Sequence, residues 1–266
     1  MFIRLYYCPE MTDKYIFSAF IFFVGLCLGS FFYTLSLRFS SSEKYNRFIE
    51  IFYKPSYCYN CGEKIGLIAL IPLVGYVLSI GKCRKCGYKI STLYPAIEFL
   101  YAILGLSLYL KFGFSVETLL TYLFLCFAVC ASLVDYKKMI VPDSMVVVLF
   151  IIAVINTVFF NRDIASIYGM LFMFIVFFLI IFIFPGGFGG GDLKYSAVLG
   201  LFSGLQHSIL ILEVALVSGS IFGIIFVILK KSGLKVKIPF SPFLTLGLVV
   251  SIFFGTDILL FYWSLI

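Results

Sequence analysis

Between residues 15 and 37 the chain runs for 23 residues without one charged side chain, enough for a helix to cross the roughly 30 Å hydrocarbon layer of a bilayer. Comparable apolar runs recur at 94–110, 117–134, 144–160, 166–184, 193–205, 209–229 and 243–263. The pattern predicts an all-α polytopic membrane protein with about eight transmembrane helices, the 193–205 run being the shortest. Composition agrees, since 62% hydrophobic and 12% charged residues with a mean hydropathy of +1.12 do not suit a soluble domain of this length. The first run is too long for a cleaved signal and lacks its short apolar core and small-residue cleavage site, so it is expected to stay as a helix. Gly25, Gly29 and Ser30 within it are spaced to let a second helix pack closely.

Basic residues give the orientation. Of the 20 lysines and arginines, sixteen fall on one set of alternate connections and four on the other. The positive-inside rule then puts the polar stretch 38–92 and the connections after the third and fifth runs in the cytoplasm, with both termini outside. The net charge of +7 is thereby accounted for by helix ends and lipid headgroups, and nucleic acid is set aside as a partner. Inside the polar stretch, residues 65–80 are apolar but interrupted by Gly66, Pro72 and Gly75, which predicts an interfacial segment or one packed on the small domain.

That stretch carries two copies of one pattern, Cys58-Tyr-Asn-Cys61-Gly and Cys83-Arg-Lys-Cys86-Gly. Two such knuckles can wrap four thiolates around one tetrahedral zinc, and a site closed by four sulfurs is structural rather than catalytic. Disulfides are disfavoured by a cytoplasmic location, and a redox pair would not need a second copy. Cys8, Cys27, Cys126 and Cys130 read as apolar side chains at the terminus or within helices.

The segment 184–194, Phe-Pro-Gly-Gly-Phe-Gly-Gly-Gly-Asp-Leu-Lys, breaks the helical pattern and sets Asp192 beside five glycines. Irregular backbone at membrane depth survives only against protein or a wet cavity, and an ionisable residue there marks a functional site. The plain alternative is a turn in which Asp192 caps the next helix. A second carboxylate, Asp135, ends the 117–134 run on the same expected side, followed by Pro142 and Asp143. Two carboxylates sharing a site keep one proton between them and can supply both a base and an acid. Here the plain alternative is a surface cluster of Asp135 with Lys137 and Lys138, and Asp143 reads best as the cap of the helix starting at Ser144. The single histidine, His207, falls on the outer side, away from both aspartates and the cysteines, which excludes a Ser-His or Cys-His nucleophile. Glu98 lies in the first turns of the helix after Pro95 and suits the helix dipole or a substrate contact equally.

Gly189-Gly190-Gly191-Asp192 matches the G-x-G-D signature of membrane aspartyl proteases. With Asp135 and Pro142-Asp143, the cysteine knuckles around Gly81-Lys82-Cys83-Arg84, and Tyr94-Pro95-Ala96-Ile97-Glu98, the chain resembles the bacterial prepilin peptidases, or type 4 leader peptidases. The resemblance implies an enzyme of the bacterial inner membrane that cuts the basic leader from type 4 prepilins or pseudopilins at the cytoplasmic face. It implies Asp135 and Asp192 as the catalytic pair, Gly189 and Gly191 as the supporting loop, and Cys58, Cys61, Cys83 and Cys86 as zinc ligands. Many members then N-methylate the new N-terminus with S-adenosylmethionine. Gly29-Ser30-Phe31-Phe32-Tyr33 is similar to the family's G-S-F-L-N segment, with Tyr33 where asparagine is usual. Residues 1–93 are thus expected to hold the first helix and the zinc-binding, methyltransferase region, and 94–266 the peptidase. The rival readings are a peptidase without methylation, a non-enzymatic zinc-bearing scaffold of a pilus or secretion assembly, and a transporter with a broken-helix ion site, which should show inverted repeats.

Overall fold

The computed structural model describes residues 11–41, 55–161, 163–184, 188–230 and 238–264. Arg4, Cys8, Pro9, Lys44, Arg47, Lys54, Arg162, Pro185, Gly186, Gly187, Lys231, Lys235 and Lys237, which entered the readings above, lie outside the described residues. Among those described, nine α-helices follow one another: α1 (Met11–Ser41), α2 (Val74–Leu78), α3 (Leu93–Phe112), α4 (Val116–Lys138), α5 (Asp143–Asn156), α6 (Ile164–Ile183), α7 (Gly190–Ser203), α8 (Leu205–Lys230) and α9 (Ser241–Ser264). The described residues contain no strand, only single β-bridges at Tyr57–Lys64 and Lys82–Lys89.

Helix limits follow from local chemistry. Pro95 sits in the first turn of α3, where its missing N–H would have had no partner. Ser115 caps α4 by accepting the Thr118 N–H at 3.0 Å, and Asp163 caps α6 by accepting the Ala165 N–H at 3.1 Å. The helix carrying Asp135 does not stop there as expected. It continues to Lys138, whose charge and that of Lys137 favour a helix C-terminus, and Met139 then turns at φ 55°.

Among the described residues, seven helices are long and apolar enough to cross a membrane. The eighth expected run is the helix α7, whose 14 residues extend only about 21 Å at 1.5 Å each. Its start and end both differ from the apolar run. It begins at Gly190 and so takes in Asp192, and Gly204, at φ 78°, breaks the chain before α8. Seven passages put the termini on opposite sides and eight put them on the same side, so the orientation of the ends depends on α7.

The chain divides into two compact units, Met1–Cys126 and Phe127–Ile266, the boundary falling within α4. In the first, α1 packs on α3. A Cβ on Gly25 would lie 2.6 Å from Ala102 Cα, and one on Gly29 2.6 Å from Glu98 Cα, which is the close helix contact expected of that glycine pair. Residues 65–80 form a 3-10 turn (Leu67–Leu70) and the short α2, with Leu67, Val77 and Ile80 largely exposed. In the second unit α7 packs on α5, α6, α8 and α9. The α6–α7 crossing is glycine on glycine, a Cβ on Gly200 falling 2.3 Å from the Gly169 carbonyl oxygen. Residues 195–202 of α7 are all buried, so this short helix is covered by its neighbours over two turns.

Candidate active site and metal centre

Asp135 stands in the last turn of α4 and is 5% exposed. Its Oδ2 accepts the backbone N–H of Ser241 at 3.2 Å and the Ser241 hydroxyl at 2.5 Å. Asp192 stands in the first turn of α7, where its Oδ2 accepts the Gly189 N–H at 3.1 Å. Its Oδ1 is buried without a hydrogen-bond partner. The capping role and the site role of Asp192 are therefore divided between its two oxygens. Asp192 lies outside the seven spanning segments; burial pushes its carboxyl up to about 6, the nearby charge of Asp135 adds to this, and the Gly189 N–H opposes it. Tyr195, one turn further along α7, lies in the field of both aspartates. The structure thus brings the two carboxylates within electrostatic reach of each other.

The glycines act by close approach more than by dihedral angle. Gly189 has φ −94° and ψ 161°, values open to any residue. A Cβ on Gly190 would meet nothing within 4 Å, whereas one on Gly191 would lie 3.3 Å from Val141 Cβ and 3.4 Å from Val141 N. Gly191 therefore lets the start of α7 sit against the segment that follows Asp135. Asp143 does not cap α5. That place is taken by Pro142, whose carbonyl accepts the Met145 N–H at 3.0 Å. The Asp143 carboxylate instead receives Lys194 Nζ at 2.8 Å, an exposed pair of small energetic weight that joins the two aspartate segments.

Sequence reasoning passed over Ser241 and what lies behind it. The Ser132 hydroxyl donates to the Ser241 carbonyl at 3.1 Å, and Thr245 Oγ1 donates to the same carbonyl at 3.0 Å. Thr245 Oγ1 is 2.6 Å from the Tyr195 hydroxyl, which is 3.2 Å from the Ala128 carbonyl. The available signal was the Pro239-Phe240-Ser241-Pro242 interruption before the last apolar run, which by itself reads as a helix start. His207 bonds Ser251 at 2.9 Å, an α8–α9 contact of its own.

In the first unit, the ligand sulfurs of Cys58, Cys61, Cys83 and Cys86 lie within 4.8 Å of one another. The Cys58–Cys86 and Cys61–Cys83 sulfurs are 3.8 and 3.9 Å apart, close to the edge of about 3.8 Å of a tetrahedron with zinc–sulfur bonds of about 2.3 Å. The knuckles share one backbone design. The Cys58 and Cys83 N–H groups donate to Glu63 and Tyr88 carbonyls at 2.8 Å, and the Gly62 and Gly87 N–H groups return to Cys58 and Cys83 at 2.9 Å. Gly62 and Gly87 take φ of 70° and 71°, which glycine adopts without strain. The Tyr88 N–H and then Asn60 Nδ2 pull the Cys86 thiol down to about 6, favouring the thiolate a metal needs. A Lys85–Glu63 ion pair ties one knuckle to the other.

Glu98 is 5% exposed and its Oε2 accepts the Leu73 N–H at 2.8 Å. Tyr33 is buried edge-on to Tyr94, ring centres 4.7 Å apart. Beside them a cavity of about 290 Å³ is lined by Ser30, Thr34, Arg38 and Cys27 of α1 and by Ser56 and Pro72 of the cysteine lobe. Cys27 is exposed, unlike the buried Cys126 and Cys130, because its helix face fronts this cavity and not the core.

Residues 23–112 match the model of the bacterial peptidase A24 N-terminal domain, and residues 122–228 that of the type IV leader peptidase family. The chain is similar to the prepilin leader peptidase/N-methyltransferase of Bacillus subtilis (strain 168), 28% identical over 244 residues that cover 91% of this chain and 96% of that one. The protein of the same description from Pseudomonas aeruginosa is 30% identical over 76% of this chain and 72% of its own. That from Legionella pneumophila is 28% identical over 80% and 77%. No solved structure matches.

Proposed function

Since the chain belongs to the type IV leader peptidase family, we propose that this membrane peptidase cuts the leader from type 4 prepilins or pseudopilins with Asp135 and Asp192 as its catalytic pair. What supports this is that Asp192 lies in the field of Asp135 and keeps a buried oxygen without a hydrogen-bond partner. With one proton shared between them, the ionised carboxylate takes a proton from water as the water oxygen bonds the scissile carbonyl carbon. The protonated carboxyl gives its proton to the carbonyl oxygen, leaving a neutral gem-diol. Collapse then moves one hydroxyl proton back to a carboxylate and the other carboxyl proton to the amide nitrogen, the C–N bond breaks, and a carboxylic acid and an amine result. The charge of Asp192 and Asp135 is restored for the next water.

Residues 94–266 form the peptidase part in this reading, and 1–93 the accessory part. The four cysteines would hold a structural zinc, which their spacing fits. Zinc there would cross-link the lobe and take no step in hydrolysis. The relatives' description as N-methyltransferases supports a second activity here, in which S-adenosylmethionine supplies a methyl group to the new amine. The cavity beside α1 suits a small polar ligand in its hydroxyls and the guanidinium of Arg38, and its size is near the lower limit of ligand sites. We place both aspartates and the cysteine lobe on the cytoplasmic side of the bacterial inner membrane, the side given by the basic residues.

The test is cleavage of a synthetic leader-plus-helix substrate by the purified chain, with product mass read with and without S-adenosylmethionine. Asp135→Asn and Asp192→Asn should each abolish cleavage while remaining in the membrane; retention of cleavage by both ends the reading. A product heavier by one methyl group only with the donor present supports the second activity, and an unchanged mass removes it.

A further inference from the structure

The two carboxylates are bonded unequally. Oδ2 of Asp135 receives two donors from Ser241, one of them a hydroxyl at 2.5 Å, while Asp192 receives one backbone N–H and has no donor at Oδ1. Donors to a carboxylate favour its ionised form, and burial without donors favours the neutral acid. A proton on Asp135 would have to sit on Oδ1, because Oδ2 already accepts two hydrogens, and the neutral acid would be a weaker acceptor for Ser241 than the carboxylate. The serine proton has a fixed direction too, because the Ser241 carbonyl is taken up by Ser132 and Thr245 and the hydroxyl has the carboxylate as its acceptor. Ser241 is fully buried and held from α4 by Ser132 and from α7, through Thr245, by Tyr195.

We propose that Ser241 is a positioning residue that keeps Asp135 ionised as the general base and turns its other oxygen to the attacking water, which leaves Asp192 Oδ1 as the carrier of the shared proton. This rests on the peptidase reading above. It adds the assignment of roles, which the motifs leave symmetrical, and a residue 106 positions away from Asp135 that belongs to none of them. Among the described residues, the titratable groups on these elements are Tyr136, Lys137 and Lys138 beside Asp135, Lys194 and Tyr195 of α7, Asp143 of α5, Tyr168 of α6, His207, Glu213 and Lys230 of α8, and Asp257 and Tyr262 of α9. Lys194 and Asp143 pair with each other; the acid limb of a pH profile marks the step in which the dyad reaches its singly protonated form, and in this assignment Asp135 is the group that loses the proton.

The experiment compares kcat and KM across pH for the full chain and for Ser241→Ala and Ser241→Thr on the synthetic leader-plus-helix substrate, with Asp135→Asn alongside. Losing one hydroxyl bond to a charged group lowers kcat by about tenfold to a hundredfold. Ser241→Ala should show that loss with KM little changed and with the acid limb displaced to higher pH, because the base is protonated more readily. Ser241→Thr, which keeps the hydroxyl, should restore the limb. An acid limb in Ser241→Ala that overlies the wild type overturns the role of Ser241, as does a loss shared by Ala and Thr with the limb unmoved. Cleavage surviving in Asp135→Asn removes Asp135 from the catalytic pair and overturns this proposal whatever Ser241 does, so the two failures are told apart.

Discussion

Glu98 Oε2 accepts the backbone N–H of Leu73 at 2.8 Å, fastening a buried carboxylate of α3 to a residue that holds φ 59°. Gly29 makes room for this, since any side chain there would strike Glu98 Cα. Leu73 follows Pro72, which lines the α1 cavity, so the bond fixes one wall of that cavity. Glu98→Ala should leave the Leu73 N–H unpartnered at a cost of about 1 to 3 kcal/mol, and Glu98→Gln, which keeps an acceptor, should cost less. Limited proteolysis near residues 72–78 and thermal unfolding of the two variants distinguish these outcomes. Equal behaviour of Ala and Gln would contradict a structural hydrogen bond.

The raised carboxyl of Asp192 ties stability to pH. In the unfolded chain the group loses its proton near 4, and in the folded protein near 6. Stability from this group is therefore fully present below about 4 and is lost as pH rises through about 6. Asp192→Asn removes the charge but keeps an acceptor for the Gly189 N–H. Its unfolding temperature should exceed the wild type at pH 8, by an amount corresponding to on the order of 2 kcal/mol, and approach it below pH 4. An Asn variant less stable at pH 8 would mean that the ionised carboxylate is held by donors and not disfavoured by burial.

Gly191 and Gly190 should respond differently to an added side chain. A valine at Gly191 must push α7 away from Val141, where even a Cβ is only 3.3 Å from its neighbour, moving Asp192 relative to Asp135. A displacement of about 1 Å at a catalytic group can lower rate by about a hundredfold. Gly190→Ala meets open space and should retain cleavage. Comparing kcat for the two variants is enough, and equal loss would show that chain mobility, not contact with Val141, is what the glycines supply.

Removing metal should act on the cysteine lobe alone. The four sulfurs belong to the unit Met1–Cys126 and the aspartates to Phe127–Ile266. A strong chelator, or Cys58→Ser with Cys86→Ser, should remove one zinc per chain by elemental analysis and expose residues 55–91 to protease. The pattern of cuts in 127–264 should stay the same. Protection of 55–91 in the absence of metal would show that the lobe folds without it.

Most of the helical architecture was legible in the sequence. Runs of apolar residues long enough to cross a bilayer state their own secondary structure, since a backbone without water must bond to itself, and seven of the eight are helices long and apolar enough to cross one. The 193–205 run was misjudged at both ends because the apolar pattern cannot show that Gly190 and Gly191 enter the helix while Gly204 leaves it. Asp143 failed as a cap for a related reason. Pro142 had already fixed the entry to α5, and the carboxylate was free to meet Lys194 on another helix.

Read residue by residue, the chain already carried the membrane helices, the two zinc-type knuckles with their glycines, and the pair of aspartates as candidates. In the helices and within each knuckle, spacing along the chain sets spacing in space, whereas Asp135 and Asp192, on different helices, were marked only by their motifs. Packing between distant segments is what makes Ser241 bond Asp135 and not Asp192, lets Asp192 divide its oxygens between a cap and an open site, and brings Glu98 back to Leu73. Those contacts join residues 106 and 25 positions apart, or depend on burial that packed helices create. A serine before a proline looks the same in sequence whether it caps a helix or orients an acid; packing decides which acceptor its hydroxyl meets.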